Sequence, residues 1–332
     1  IALEEGVPVL PRGAGTSQCG QTVGAALVID NSKYLKEVIE FDKEARTALV
    51  QPGIVLDHLN AYLRPHGLWF PVDVSTSAQA TIGGMTGNNS CGSRSIRYGN
   101  MVHNVLGIDA MLADGGRYRF GPAADVANGA EGYRTLVGKI HEIVGREAEE
   151  IRARWPKVLR RVQGYKLDMV IPGTEHNLSH LLVGSEGTLA YSERVLLKLS
   201  PLPKAKTLGV VHFPSFYKAM ESAQHIVKLD PDAVELVDAT MIGLAREIGA
   251  YRSIIDRYVR GEPEAVLLVE FAGEVHGSVF GNGFVEVQQH ARHHRPGGDL
   301  VRRHIRRKIG GLGERREGDL AGLEFTAGQF LA

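Results

Sequence analysis

Over residues 1–200, short apolar runs alternate with glycine-, proline- and asparagine-rich turns. That pattern predicts many short strands and few helices. Val7–Leu10 reads as a strand, Ala26–Asp30 as a second, and Tyr34–Val38 as one helical turn. Val38–Phe41 and Thr47–Val50 flank Asp42-Lys43-Glu44-Ala45 as a hairpin, which Pro52-Gly53 ends. Leu56, Leu59 and Leu63 predict a helix over 54–63, and Leu68–Phe70 another strand. Val105–Ala113 and Arg117–Phe120 surround Asp114-Gly115-Gly116, a second hairpin. Tyr133–Trp155 reads as one long polar-faced helix and Glu193–Leu199 as a strand.

Ser200-Pro201-Leu202-Pro203-Lys204 marks a boundary. Beyond it come strand (Leu208–Phe213), helix (Phe216–Lys228), strand (Ala233–Val237), helix (Met241–Ile248) and strand (Ala265–Phe271). This order predicts an α+β unit with helices on one sheet face. From Val275 the periodicity fades and composition shifts to Gly, Arg and His, including the run Arg302–Lys308. A poorly ordered or aberrant end explains that tail better than a nucleic-acid patch does. The organisation expected is therefore 1–200, 204–274 and an atypical tail over 275–332. Ile1–Gly6 reads as the last turn of a helix ending at a glycine. The chain is accordingly expected to be a fragment lacking an upstream element.

Composition narrows the function. Lys+Arg and Asp+Glu are equal at 38 each, so no net field favours nucleic acid or an anionic membrane. Cys19 and Cys91 are the only cysteines, too few for a secreted disulfide framework. No apolar run approaches a membrane span, and no signal peptide is visible. A cytoplasmic location, including one peripheral to an inner membrane, is the expectation.

The candidate chemistry lies in glycine turns. Pro11-Arg12-Gly13-Ala14-Gly15-Thr16-Ser17-Gln18-Cys19-Gly20-Gln21 follows the first strand. Phe70-Pro71-Val72-Asp73 leads to Thr81-Ile82-Gly83-Gly84-Met85-Thr86-Gly87-Asn88-Asn89. Two such turns predict two backbone cradles for one phosphate-bearing ligand, since no Cβ blocks the approach of an anion to the amides. A nucleotide-triphosphate loop fails because Gln21 stands where lysine is needed. The dinucleotide fingerprint fails because Gln18 occupies its third glycine. No cysteine pair or histidine spacing suits a metal, and His58, His66, His103, His141, His176 and His180 read as isolated. The serine in Gly184-Ser185-Glu186-Gly187 is misplaced by one for a nucleophile elbow.

Together, Pro11–Ser17, Phe70–Asp73, Thr81–Gly84, Asn88-Asn89-Ser90-Cys91-Gly92, Arg97-Tyr98-Gly99 and Gly184-Ser185-Glu186-Gly187-Thr188-Leu189 resemble one family. It is the FAD-linked oxidases of the vanillyl-alcohol-oxidase type, with a PCMH-type FAD-binding domain. Within it the chain is most similar to bacterial D-2-hydroxyacid (D-lactate, glycolate, D-2-hydroxyglutarate) dehydrogenases that carry an iron–sulfur segment. The resemblance covers residues 1–272. It implies an α+β fold: an FAD-binding domain without its first α/β element, then part of an α+β substrate-binding cap.

By the same resemblance, Arg12, Gly13, Ala14, Gly15, Thr16 and Ser17 would wrap the FAD pyrophosphate, with Gln21 beside them. Pro71 and Asp73 would lie beside the ADP half or the loop that shapes its pocket. Thr81, Ile82, Gly83 and Gly84, with Gly87, Asn88, Asn89 and Gly92, would form the second cradle. Glu186, Gly187 and Leu189 would pass the flavin ring. The first loop holds no histidine, which implies non-covalent FAD. The implied reaction is oxidation of a small 2-hydroxy acid to the 2-oxo acid. Its electrons would go to an iron–sulfur centre or a respiratory carrier. The clustered cysteines of the iron–sulfur segment are absent, and no catalytic base is assignable. Two alternatives stay open: a non-catalytic nucleotide-binding fragment, and an oxidase of the same fold acting on a sugar or nucleotide-sugar.

Overall fold

The computed structural model describes residues 1–273 and 324–328. It divides the chain into two units, Ile1–Leu202 and Pro203–Ala332.

The first unit opens on a turn closed by Gly6 at φ +63°. Val7 N donates to Ala2 O (2.9 Å) and Gly6 N to Leu3 O (3.4 Å), the paired bonds that end a helix at glycine. Strands β1 (Val9–Arg12) and β2 (Leu27–Asp30) then pair in parallel. Strands β3 (Val38–Asp42) and β4 (Thr47–Val50) form the first hairpin. Helix α1 (Leu56–Leu63) follows, then β5 (Leu68–Trp69) and three short helices, α2 (Ile82–Asn88), α3 (Ser95–Tyr98) and α4 (Met101–Asn104). Strands β6 (Val105–Met111) and β7 (Arg117–Phe120) make the second hairpin. After α5 (Glu131–Arg146), α6 (Ala148–Arg154) and α7 (Ser179–Leu182), β8 (Tyr191–Lys198) enters the sheet and β9 (Ser200–Pro201) pairs with β5.

The main sheet is antiparallel, in the order β3-β4-β8-β6-β7. Its inner face presents Val50, Ile108, Ala110, Phe120, Val195 and Leu197. These pack with Leu56, Leu59 and Leu63 of α1, Ile82 and Met85 of α2, and Tyr133 and Val137 of α5. Each large side chain buried there stabilises the unit by about 1.5–3 kcal/mol over exposure. Asp109 on β6 is buried and ion-pairs outward to both neighbours, Arg119 of β7 (3.6 Å) and Arg194 of β8 (2.8 Å).

One expectation changes here. The segment 133–155 is two helices, because the ladder stops at Glu147, which lies outside helical backbone at φ −93°, ψ 6°.

The second unit holds β10 (Ala205–Phe213), α8 (Phe216–Ile226), β11 (Ala233–Asp238), α9 (Ala239–Glu247), α10 (Gly249–Tyr258), β12 (Ala265–Gly273) and β13 (Glu324–Gly328). The sheet order is β11-β12-β10-β13, all antiparallel. Ser215 caps α8 by accepting from Lys218 N (3.2 Å), and Asp238 caps α9 by accepting from Met241 N (2.9 Å).

Helices cover both sheet faces, not one. Val211, Phe213, Leu267 and Val269 pack with Ala219 and Ala223 of α8. The alternate residues Val210, Val266 and Leu268 pack with Ile242 of α9 and Ile255 of α10. A strand covered on both faces needs an unbroken apolar run, and Ala265–Val269 is one. Of the atypical tail, only β13 belongs to the described residues; its remaining positions lie outside them.

Candidate functional site

Three turns of the first unit meet around a cavity of about 580 Å³. Arg12, Gly13, Ala14, Gly15, Thr16, Ser17 and Gln21 line it from the loop after β1. Thr81, Gly83, Gly84, Gly87, Asn88 and Asn89 line it from α2 and its ends, and Glu186 and Gly187 from the turn before β8. Pro71, Asp73, Ile82, Gly92 and Leu189 do not line it.

The first loop is pinned at both ends and leaves main-chain amides free between them. Asn31 N bonds Arg12 O (2.9 Å), and Arg12 Nη2 bonds Asp30 Oδ2 (3.2 Å), fixing the loop's root to β2. Bonds from the Ser32 hydroxyl and amide, then Arg12, hold the Asp30 carboxyl below its ordinary range. The Arg12 guanidinium is thus already committed to a carboxylate. Gln21 Nε2 donates to Ser17 Oγ (2.6 Å) and closes the far end. Between these fixed points the amides of Ala14, Gly15, Thr16 and Ser17 have no partner among the described residues. Successive unpaired amides in a curved loop form a nest for phosphate oxygens.

The second turn works differently from the expectation of a second set of free amides. Thr81 Oγ1 caps α2 by accepting from Gly84 N (3.3 Å). Ile82 N donates to Ile54 O (2.9 Å) and Gly83 N to Pro52 O (2.7 Å). The amides of the first turn of α2 are therefore used inside the unit. The contribution of Thr81–Gly84 is spatial. A Cβ at Gly13 would overlap Thr81 Oγ1 and lie 3.6 Å from Gly84 Cα, so the first loop sits directly against the Thr81 side chain with no room for one of its own.

The third turn hangs from α2. Gly184 N donates to Thr86 O (2.9 Å) and Glu186 N to Gly87 O (2.8 Å). Glu186 and Gly187 adopt φ +54° and +75°. Asn89, fully buried at φ +54°, joins the parts. Its Oδ1 accepts from Val102 N (3.0 Å), and its Nδ2 donates to Arg161 O (3.2 Å).

The residues outside the cavity have structural employment. Ile82 is core, and Leu189 packs against it. Asp73 accepts from Arg94 Nη1 (2.9 Å), Arg94 N (3.1 Å) and Ser93 Oγ (2.7 Å), while Gly92 lies against its main chain. Asp73→Ala should lower the unit's stability by about 2 kcal/mol, roughly 5 °C in melting temperature, as read by calorimetry. An unchanged melting temperature would remove this bracing role. Asn31, Val162, Gln163 and Ser192 also line the cavity, and no motif or periodicity marks them.

The histidines read as isolated are partly gathered. His141 Nε2 and His176 Nε2 lie 2.9 Å apart, and His176 Nδ1 faces Thr174 O (2.6 Å). His180 is pushed down to about 4, first by burial, then by the nearby charges of His103 and His176, with Asp168 opposing. Among the described residues no three histidine, cysteine or carboxylate groups are placed to hold a metal. A histidine held neutral in the folded state costs stability once the unfolded chain protonates. Stability should therefore fall as pH drops from 6.5 towards 4, by about 3 kcal/mol for His180 alone. Thermal melts across that window should show the loss, and His180→Gln should flatten it; parallel curves for the two proteins would reject the assignment.

Sequence families define the class. Residues 1–121 match the FAD binding domain family, and residues 202–287 match the C-terminal domain family of FAD linked oxidases. The chain belongs to the FAD-linked oxidases, and its first unit carries the FAD-binding domain. Among its relatives is D-2-hydroxyglutarate dehydrogenase of Escherichia coli (strain K12), 33% identical over 274 residues, 80% of this chain and 27% of the relative. The glycolate oxidase subunit GlcD of Bacillus subtilis is 29% identical over 284 residues, 82% of this chain and 48% of that protein. Solved alkyldihydroxyacetonephosphate synthase shares the fold with a TM-score of 0.58 at 17% identity, covering 93% of this chain and 48% of the other. This chain thus spans about a quarter of the first of these relatives.

Proposed function

We propose that this chain is the FAD-binding part, with the beginning of the substrate-binding cap, of a dehydrogenase that oxidises a D-2-hydroxy acid to the 2-oxo acid. The observation that carries the reading is the row of unpaired amides from Ala14 to Ser17, open to a cavity whose other walls are glycine turns. The likeness to D-2-hydroxyglutarate and D-lactate dehydrogenases supports the substrate class. FAD, when bound, supplies a two-electron acceptor for the hydrogen on the substrate's C2, while the hydroxyl proton leaves separately.

The residues of this chain bind and orient. The amides of Ala14–Ser17 would hold the pyrophosphate oxygens, in the non-covalent mode that a loop without histidine implies. Gly13 and Gly84 would let the dinucleotide pass close to the main chain. The turn at Glu186 and Gly187, fixed to α2 by two amide bonds, would set the ring's position. Asp73 would act behind the wall, through the Ser93–Arg94 loop it braces. The unit built on β10 and β12 would begin the substrate cap. A respiratory carrier or an iron–sulfur segment outside this sequence would accept the electrons, at the cytoplasmic side of a membrane. No helix among the described residues is long and apolar enough to cross one.

An absorption spectrum of the purified chain with FAD, taken before and after anaerobic addition of D-2-hydroxyglutarate or D-lactate, tests this. Flavin bands that bleach support both halves of the reading. Bands without bleaching keep the cofactor and assign the chemistry to parts outside this sequence. No retained flavin after gel filtration would overturn the reading.

A further inference from the structure

Between Cys91 and Leu182 the chain returns to the cavity wall at two residues only, Val162 and Gln163. Their delivery is unusual, because two buried polar side chains hold this short stretch by its main chain. Asn89 Nδ2 donates to Arg161 O (3.2 Å). Lys166, only 2% exposed, donates from Nζ to Gln163 O (2.6 Å). Arg161 itself pairs with Asp168, and Arg160 Nη2 reaches Ser93 O (3.4 Å). The carbonyls of Val162 and Gly164 face Gly184, within 3.4 Å of where its Cβ would stand.

A buried ammonium is costly unless a partner compensates it. Packing alone could be met by an apolar side chain of similar size. Here the ammonium is committed to a main-chain carbonyl of a residue that lines the cavity. Asn89 sits in the cavity wall and grips the same stretch from the other side. The stretch is held near both ends, and Val162 and Gln163 between the anchors line the cavity.

We propose that residues 160–166 form a strap that fastens the bound dinucleotide, with Asn89 and Lys166 as its anchors. The proposal rests on the reading of the cavity as the FAD site. Neither anchor is a catalytic residue; each positions Val162 and Gln163 through the main chain.

Limited trypsin digestion of the whole chain tests it, since Arg160 and Arg161 place cleavage sites in the strap. FAD loading should slow cleavage there by about tenfold relative to cleavage at other exposed sites. Lys166→Met should abolish this protection. It should also speed FAD release by about tenfold, followed by the recovery of FAD fluorescence on dilution. Equal strap cleavage with and without bound FAD would overturn the proposal. So would parental release from a folded Lys166→Met protein. Should that variant not fold, protection in the unmodified chain decides alone. A chain that takes up no FAD defeats the cavity reading, and the strap with it; uptake without protection defeats only the strap.

Discussion

Gly13→Val is expected to raise the dissociation constant for FAD by about a hundredfold or more, as followed by fluorescence titration. The side chain would enter the seam between the first loop and α2, where even a Cβ overlaps Thr81 Oγ1. Thr81 cannot swing aside cheaply. It is buried, and its hydroxyl caps α2 at Gly84 N. The loop must therefore move, taking the amides of Ala14–Ser17 out of register. Gly13→Ala should give an intermediate loss of about tenfold. Circular dichroism should stay native, because the loop is largely exposed and its amides bond nothing else in the unit. Binding within threefold of the parent for the valine variant would refute the assignment of this loop.

Gly53→Ala should instead damage the whole first unit. A Cβ there would strike the main-chain carbonyl of Asn31 and stand 2.7 Å from Leu35 O. Both obstacles are backbone, so relief requires moving β2 away from the Pro52–Ile54 hinge. That hinge also supplies the carbonyls that hold Ile82 N and Gly83 N. Asn31 in turn lines the cavity and accepts from Tyr191 Oη (2.7 Å). The expected cost is about 3–4 kcal/mol, roughly 10 °C in melting temperature, with weakened FAD binding. Gly138→Ala is the matched control, for it lies within α5 with open space around it. It should stabilise by about 0.5–1 kcal/mol. Similar behaviour of the two variants would mean that the tight seam at Gly53 is not a constraint.

What the sequence discloses depends on how local the determining physics is. The hairpin of β6 and β7 is legible because Asp114-Gly115-Gly116 fixes its own turn. The N-terminal turn is legible because Gly6 supplies the positive φ that ends it. The three glycine turns are recognisable as motifs, and fifteen of the twenty residues that the motifs mark for the cofactor line one cavity. Their amide chemistry is not legible. The groups that use up Ile82 N and Gly83 N are carbonyls about thirty residues upstream, which no spacing rule reveals. The partners of Asp73, Ser93 and Arg94, lie about twenty residues on, where no spacing rule places them. Val162 and Gln163 reach the wall through Asn89 and Lys166, in a polar stretch without periodicity. The second helix layer on the β10–β12 sheet was readable in principle from the unbroken apolar run Ala265–Val269. Helix α10 was not, because Ile248-Gly249 resembles a stop signal as much as a start.

The walls of the cavity come from stretches far apart in sequence: the loop after β1, the turn into α2, and the approach to β8. A molecule seated among them ties these stretches together in a way the unfolded chain cannot. By mass action, each tenfold rise in free ligand above the dissociation constant adds about 1.4 kcal/mol to the unit's resistance to unfolding. The melting temperature should then climb with the logarithm of cofactor concentration. In a cell, the supply of flavin would govern how long copies of this domain escape proteolysis as well as how many are loaded.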